Sequence, residues 1–427
     1  MTLFTRIARD SLWLLTARIG AQVSLVIVAY LLARRLGTAG FGEYAFIAAM
    51  ILIGNALTTF GSDMYLIREI AAKKDFSGLP SVLVLQLILS FLFIGFIFLL
   101  APYLPNQTAE GVSALKVYSL ALIPLAFFTV FTSVLRGAQK MTAYAWLNFI
   151  LPLVQAAAVF IFIQRGADVV TLAYLLLVIQ TLGAVMGGVF CVIAVPGFLS
   201  GSHFTFDGIT SLFLACLPIA LVAVLGILYQ KMSLALLSFL GTASMVGLYS
   251  AAARVVEAAR IGHIAVFTAL YPALAHAEWE RLSRGTFRRS WLWLLTISSL
   301  GSILLFLLAK PLVDIVFGAD YRPSIPVLKI LSFTMVPYTV SSFLSLVFLA
   351  KREERIVLRT LSVSTLALLA LTVWLVPRAG QVGAGWAVLT TEIVQAAIFL
   401  WVWVTSPLRR SDAVHSKGVF HELSDPS

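Results

Sequence analysis

The sequence predicts an all-α, polytopic membrane protein: about twelve transmembrane helices in two parallel six-helix halves around a central cavity. Three observations predict it. The 427 residues are 60% hydrophobic and only 11% charged, with a mean hydropathy of +0.99, whereas a soluble domain is about a quarter charged. Apolar runs of membrane-crossing length recur about a dozen times along the chain. An internal repeat divides those runs into two sets of six. Such a composition leaves too little polar surface to cover a soluble globule, so lipid is the solvent and a soluble enzyme is excluded.

The runs fall near 11–32, 41–63, 79–101, 113–135, 145–164, 170–194, 211–230, 243–272, 290–309, 325–349, 356–376 and 383–405. Turn and charge signals separate them: Arg34-Arg35, Arg68 to Asp75, Pro102 to Gly111, Arg136 to Lys140, Pro196 to Gly208, Arg281 to Arg289 and Lys351 to Arg355. None of these breaks is long enough to house a soluble catalytic domain. The first run, preceded by Arg6 and Arg9, is too long for a signal peptide and ends in two arginines, so it is expected to be a retained span. Residues 406–427 read as a polar, disordered cytoplasmic tail.

The net charge of +11 comes from 30 Lys and Arg against 19 Asp and Glu. In a soluble protein this would suggest nucleic acid; in a membrane protein its first use is topology. With the N-terminus inside, about 18 basic residues fall in cytoplasmic segments, about 9 in external ones and 3 in spans, which favours both termini in the cytoplasm. Neither a disulfide framework nor a zinc site is indicated by the two cysteines, Cys191 and Cys216, and no P-loop or H-E-x-x-H sequence occurs. No cofactor and no nucleic-acid partner are expected.

The repeat is legible in two places. LGTAGFGEY (Leu36 to Tyr44) recurs as LGTASMVGLY (Leu240 to Tyr249) with one residue inserted. Leu115, Lys116, Ser119 and Pro124 match Leu328, Lys329, Ser332 and Pro337 at a constant offset. Residues 1–200 and 205–405 therefore read as two halves that begin on the same side, as in alternating-access transporters.

Ionisable residues within the spans mark the candidate site, because each costs about 2.5–3.5 kcal/mol at the centre of a membrane helix. Arg254, Glu257 and Arg260 are three apart and share one drifting stripe. Guanidinium groups so placed suit a phosphate or pyrophosphate. Arg18, with Ser11 and Gln22 on its face, supplies a similar group from the other half. Asn55, opposite Arg260 in the repeat, shares a polar face with Thr59 and Ser62. The competing reading makes Glu257 a structural partner of Arg254 or Arg260. Asp63, Glu257 and Glu392 are candidates for coupling to an H+ or Na+ gradient; Glu392 looks the most isolated, and its counterpart Gln180 leaves open a simple helix-bridging role. His263 reads as a helix-interface residue.

YLLARRLGTAGFGEYAF followed by GSDMYLIREIA, together with FGADYRPSIPVLKIL, resembles bacterial polysaccharide flippases, the O-antigen flippase-like branch of the multidrug/oligosaccharidyl-lipid/polysaccharide exporter superfamily. The resemblance covers most of residues 10–405. It implies movement of an undecaprenyl-pyrophosphate-linked oligosaccharide across the bacterial cytoplasmic membrane, through a cationic cavity coupled to an ion gradient and alongside glycan-assembly proteins. The alternatives are an ion-coupled multidrug or organic-cation antiporter of the related extrusion family, a membrane-embedded glycan polymerase or ligase, and a structural partner of a glycan-assembly complex.

Overall fold

An α-helix rises 1.5 Å per residue, and a bilayer core is about 30 Å thick. Two helices here are far longer than one crossing requires, and each is broken at a glycine. The computed structural model describes residues 3–198, 206–260, 284–351 and 353–405. Its first helix, α1 (Leu3–Thr59), runs through a break at Gly37, whose φ of 67° lies in the left-handed region that suits glycine. Then come α2 (Ser62–Lys73), α3 (Leu79–Leu100), α4 (Ala109–Ser119), α5 (Leu122–Gly137), α6 (Met141–Gln164) and α7 (Val169–Ala194). The remainder comprises α8 (Phe206–Leu240), α9 (Ala243–Ala259), α10 (Arg284–Leu307), α11 (Ala309–Val316), α12 (Ile325–Ser332), α13 (Met335–Ala350) and α14 (Glu354–Thr405). A break at Gly380, φ 53°, interrupts α14 three residues after Pro377.

Local chemistry sets several ends. The side chains of Thr108, Asp168 and Thr242 accept hydrogen bonds from the backbone N–H groups of Gly111, Thr171 and Met245, capping α4, α7 and α9. Phe60 and Gly61 both take positive φ and end α1.

Among the described residues seven helices are long and apolar enough to cross a membrane, or nine when the bent pairs α10–α11 and α12–α13 each count as one span. The sequence predicts twelve separate runs; the helices are fewer because α1 and α14 each hold two runs in one broken rod and α9, with 17 residues, is too short to count. Outward faces are apolar: Trp293, Ile297, Leu300, Leu304 and Leu307 form an exposed stripe on α10, as Tyr174, Val178, Val185 and Val189 do on α7. On helices of membrane-crossing length, such stripes suit a lipid surface. The chain is a multi-pass, all-α membrane protein.

α1 packs on α6 and α9, α5 on α7, and α14 on α8 and α13. One end of the bundle is tied across the chain. Arg34 donates to the carbonyl oxygens of Ile315 (2.6 Å) and Val316 (3.5 Å), at the end of α11. The hydroxyl of Tyr321 lies 2.9 Å from the carbonyl oxygen of Gly37 and 3.2 Å from that of Ala33, so its one hydrogen is donated to a backbone acceptor at the α1 break. Ser244 and Thr38 hydroxyls meet at 2.8 Å, and Gln107 donates to Ser238 at 2.8 Å. Cys191 and Cys216 are buried and unpaired.

The expected boundaries shift in two places. The seventh run was expected to stop at 230, before Lys231, yet α8 continues to Leu240, so Lys231 lies inside a helix. The eighth run is expected to reach 272; α9 ends at Ala259 with Arg260 as its C-cap, and residues 261–272 lie outside the described residues. His263 and the tail 406–427 lie outside the described residues.

Candidate functional site

Five ionic side chains converge from the consecutive helices α8 and α9 and from α14, more than a hundred residues further along the chain. Lys231 on α8 lies nine residues before the end of its helix, ~14 Å at helical rise, and Arg254 on α9 lies eleven residues from its start, ~17 Å. Glu392 is close to midway between Gly380 and the end of α14. Each is therefore about half a bilayer thickness from the tied end of the bundle.

The carboxylate of Glu257 bridges two cations. One oxygen accepts from Lys231 Nζ at 2.8 Å and the other from Arg254 at 3.0 Å. The side chains of Lys231, Arg254 and Glu257 are 13%, 22% and 35% exposed, so the acid is the most accessible of the three. Glu257 thus pairs with Arg254, and Lys231 joins them. Sequence reasoning missed Lys231 because a lysine after an apolar run reads as the end of a span. Its spacing from Arg254 carries no helical signal, since the two sit on different helices.

Arg260 does not continue the expected stripe. Its guanidinium donates to the Thr334 hydroxyl at 2.7 Å, lies 4.0 Å from the centre of the Tyr338 ring and sits 3.8 Å from Glu392. The Glu392 side chain is 4% exposed. Its expected isolation is thus corrected: a buried carboxylate needs a cation, and the fold supplies one from 132 positions away. Arg260 Nε, Glu392 Oε2 and the Tyr229 hydroxyl are buried without a hydrogen-bond partner among the described residues.

The remaining candidates lie elsewhere. Arg18 is exposed on α1 and Gln22 half-buried beside it. Asn55 is half-buried, and its carbonyl accepts from the Thr58 hydroxyl. Ser62, expected to turn toward the same place, is used locally: it accepts from Gln86 at 2.9 Å and donates to Thr59. Asp63 was expected near the end of the second span. It opens α2 instead, where a negative charge favours the positive end of the helix dipole. Glu43, a further acid within the second apolar run, is 6% exposed against Gly111 in the first turn of α4. Among the described residues no group of three or more His, Cys, Asp or Glu is placed to hold a metal.

Chemically, the site pairs three cations with two carboxylates in a low-dielectric setting, an excess of one positive charge that suits an anionic group.

Residues 7–278, more than half of the chain, match the family described as polysaccharide biosynthesis protein. No significant match is found among curated proteins. Similar solved structures include a multidrug-resistance MATE transporter of the MOP superfamily in an inward-facing conformation (TM-score 0.74, 16% identity, 93% of this chain and 96% of that one). The outward-facing form of a MATE transporter matches at TM-score 0.65 (15% identity, 96% of each chain). The lipid II flippase MurJ in an inward closed conformation matches at 0.72 (13% identity, 96% of this chain and 93% of that one). These likenesses show a shared fold.

Proposed function

Because the chain belongs to the polysaccharide biosynthesis protein family, we propose that it moves a polyprenyl-pyrophosphate-linked oligosaccharide across the bacterial cytoplasmic membrane by alternating access, as a transporter and not an enzyme. The observation that carries this reading is the Lys231–Glu257–Arg254 bridge with Arg260 beside it, a set with cationic excess at mid-membrane depth. The pyrophosphate binds at this set, the sugars occupy the hydrated space between two halves, and the polyprenyl chain remains in lipid. No covalent bond changes.

The two six-helix halves, 1–200 and 205–405, and the count of twelve spans belong to the same proposal. Splitting α1 at Gly37 and α14 at Gly380, joining α4–α5, α10–α11 and α12–α13, counting α9 as one crossing and leaving out the twelve-residue α2, gives twelve crossings. The break at Gly37 then corresponds to the one at Gly241 between α8 and α9. With both termini cytoplasmic, the tied end of the bundle faces outward, in keeping with the higher similarity to the inward-facing structure. Coupling to an H+ gradient is assigned to Glu392, a buried carboxylate with one oxygen unpartnered among the described residues; Na+ is the alternative coupling ion.

The second reading is an ion-coupled multidrug or organic-cation antiporter. The fold comparison favours it over the first, since five of the similar solved structures are described as MATE or multidrug transporters. Buried Glu392 and the Tyr338 ring suit a cation. Reconstituted vesicles decide between them. Translocation of a fluorescent polyprenyl-pyrophosphate glycan, lost in Arg254→Ala, supports the flippase; export of cationic dyes with no glycan movement establishes the antiporter.

A further inference from the structure

Two cations held at mid-membrane depth need an anion at every stage of a transport cycle, because a buried charge left without its partner is strongly destabilising. Lys231 and Arg254 come from different helices, and a single carboxylate serves both, one oxygen to each, at 2.8 and 3.0 Å. That is the arrangement in which two oxygens of one phosphoryl group would engage the same pair by charge-assisted hydrogen bonds. Glu257 is also the most exposed of the three, at 35% against 13% and 22% for the two cations. It stands three residues after Arg254 on α9, so rotation of its own side chain releases both cations without moving the backbone. The Arg260–Glu392 pair differs in each respect: its oxygen is 3.8 Å away and its carboxylate is 4% exposed.

We propose that Glu257 is the internal counter-anion of the transport site, a built-in mimic of the anionic headgroup that competes with phosphoryl oxygens for Lys231 and Arg254. Loading displaces the carboxylate, and its return expels the headgroup and neutralises the cations for the next half-cycle. The inference rests on the flippase reading and names the residue that limits affinity within it. The set of Lys231, Arg254 and Glu257 carries one net positive charge, whereas a pyrophosphate diester carries two negative ones. The competition is therefore winnable by the substrate and reversible by the protein.

The test measures binding of farnesyl pyrophosphate, a short polyprenyl pyrophosphate, to the full-length protein in nanodiscs, with inorganic pyrophosphate as a second probe. Glu257→Gln should bind at least about tenfold tighter than the unsubstituted protein, and turnover in vesicles should fall because release slows. Glu257→Asp, which keeps the charge but lacks the reach to bridge both cations, should lie between the two and provides the measurement should Glu257→Gln fail to assemble. Unchanged or weaker binding by these variants, with Arg254→Ala still abolishing binding, would overturn the counter-anion and leave the flippase reading standing. Absence of binding to any form, with normal glycan movement in Arg254→Ala, would remove both.

Discussion

Gly42 and Gly247 face each other at an approach that excludes any side chain: a Cβ on Gly42 would overlap the carbonyl oxygen of Ala243, and a Cβ on Gly247 would overlap that of Thr38. The contact is reciprocal, since Thr38 precedes Gly42 by the same four residues that separate Ala243 from Gly247. α1 and α9 thus meet backbone to backbone at the tied end of the bundle. Overpacking typically costs about 1–3 kcal/mol. Gly42→Ala and Gly247→Ala should therefore shift the conformational equilibrium away from this closed end by roughly five- to 150-fold. Spin-label distances across that end should lengthen; unchanged distances would show that the contact does not hold it shut.

Thr38 and Ser244 give a reversible version of the same test. Their hydroxyls are 2.8 Å apart, so Thr38→Cys with Ser244→Cys should crosslink under mild oxidation. Transport should stop on oxidation and return on reduction. Crosslinked protein that still transports would mean that this end need not open.

Arg260 and Glu392 are expected to behave as a unit. Arg260→Ala leaves a carboxylate buried at 4% exposure and should cost about 3–5 kcal/mol of stability. Glu392→Gln should restore much of that loss when combined with it, which thermal melts of the single and double variants would read as non-additivity. Simple additivity would separate the two residues.

Lys231 should matter more than Arg18. Lys231→Ala removes one of the two cations on Glu257 and should reduce transport at least as much as Arg254→Ala, at equal abundance in the membrane. Arg18→Ala, at an exposed site on α1, should have the smaller effect. The reverse order would move the anion site toward α1.

Asp168 makes a pH-dependent contribution outside the membrane. The Thr171 hydroxyl and backbone N–H hold its carboxyl below the usual carboxylate range. Its capping contribution, about 1 kcal/mol by comparison with Asp→Ala at other caps, is present above the unfolded value of about 3.9 and is lost as pH falls through the lower folded value. Asp168→Ala should lower the melting temperature at neutral pH, and the difference should shrink in acid.

The apolar runs, the breaks near Arg34-Arg35 and Arg136 to Lys140, and the repeat between Leu36–Tyr44 and Leu240–Tyr249 were all legible without coordinates. Lipid makes them so, since each crossing segment must be apolar outside and satisfy its backbone within itself, which is a local requirement. Even the Gly42–Gly247 contact left a trace, as matching glycines in the two copies. The charged site was legible only in part: Arg254, Glu257 and Arg260 stood out as costly residues, while Lys231 was hidden at an apparent helix end.

By itself the sequence determined the solvent, the all-helical class and the residues too costly to lie in lipid without purpose. Tertiary structure alone decided which of them are partners. It split one stripe in two, giving Arg254 and Glu257 to Lys231 on α8 and turning Arg260 toward Thr334, Tyr338 and Glu392. Hydropathy is fixed by each residue and its neighbours on one helix. Ion pairing depends on how helices far apart in the chain are set against each other, and only the packed bundle carries that information.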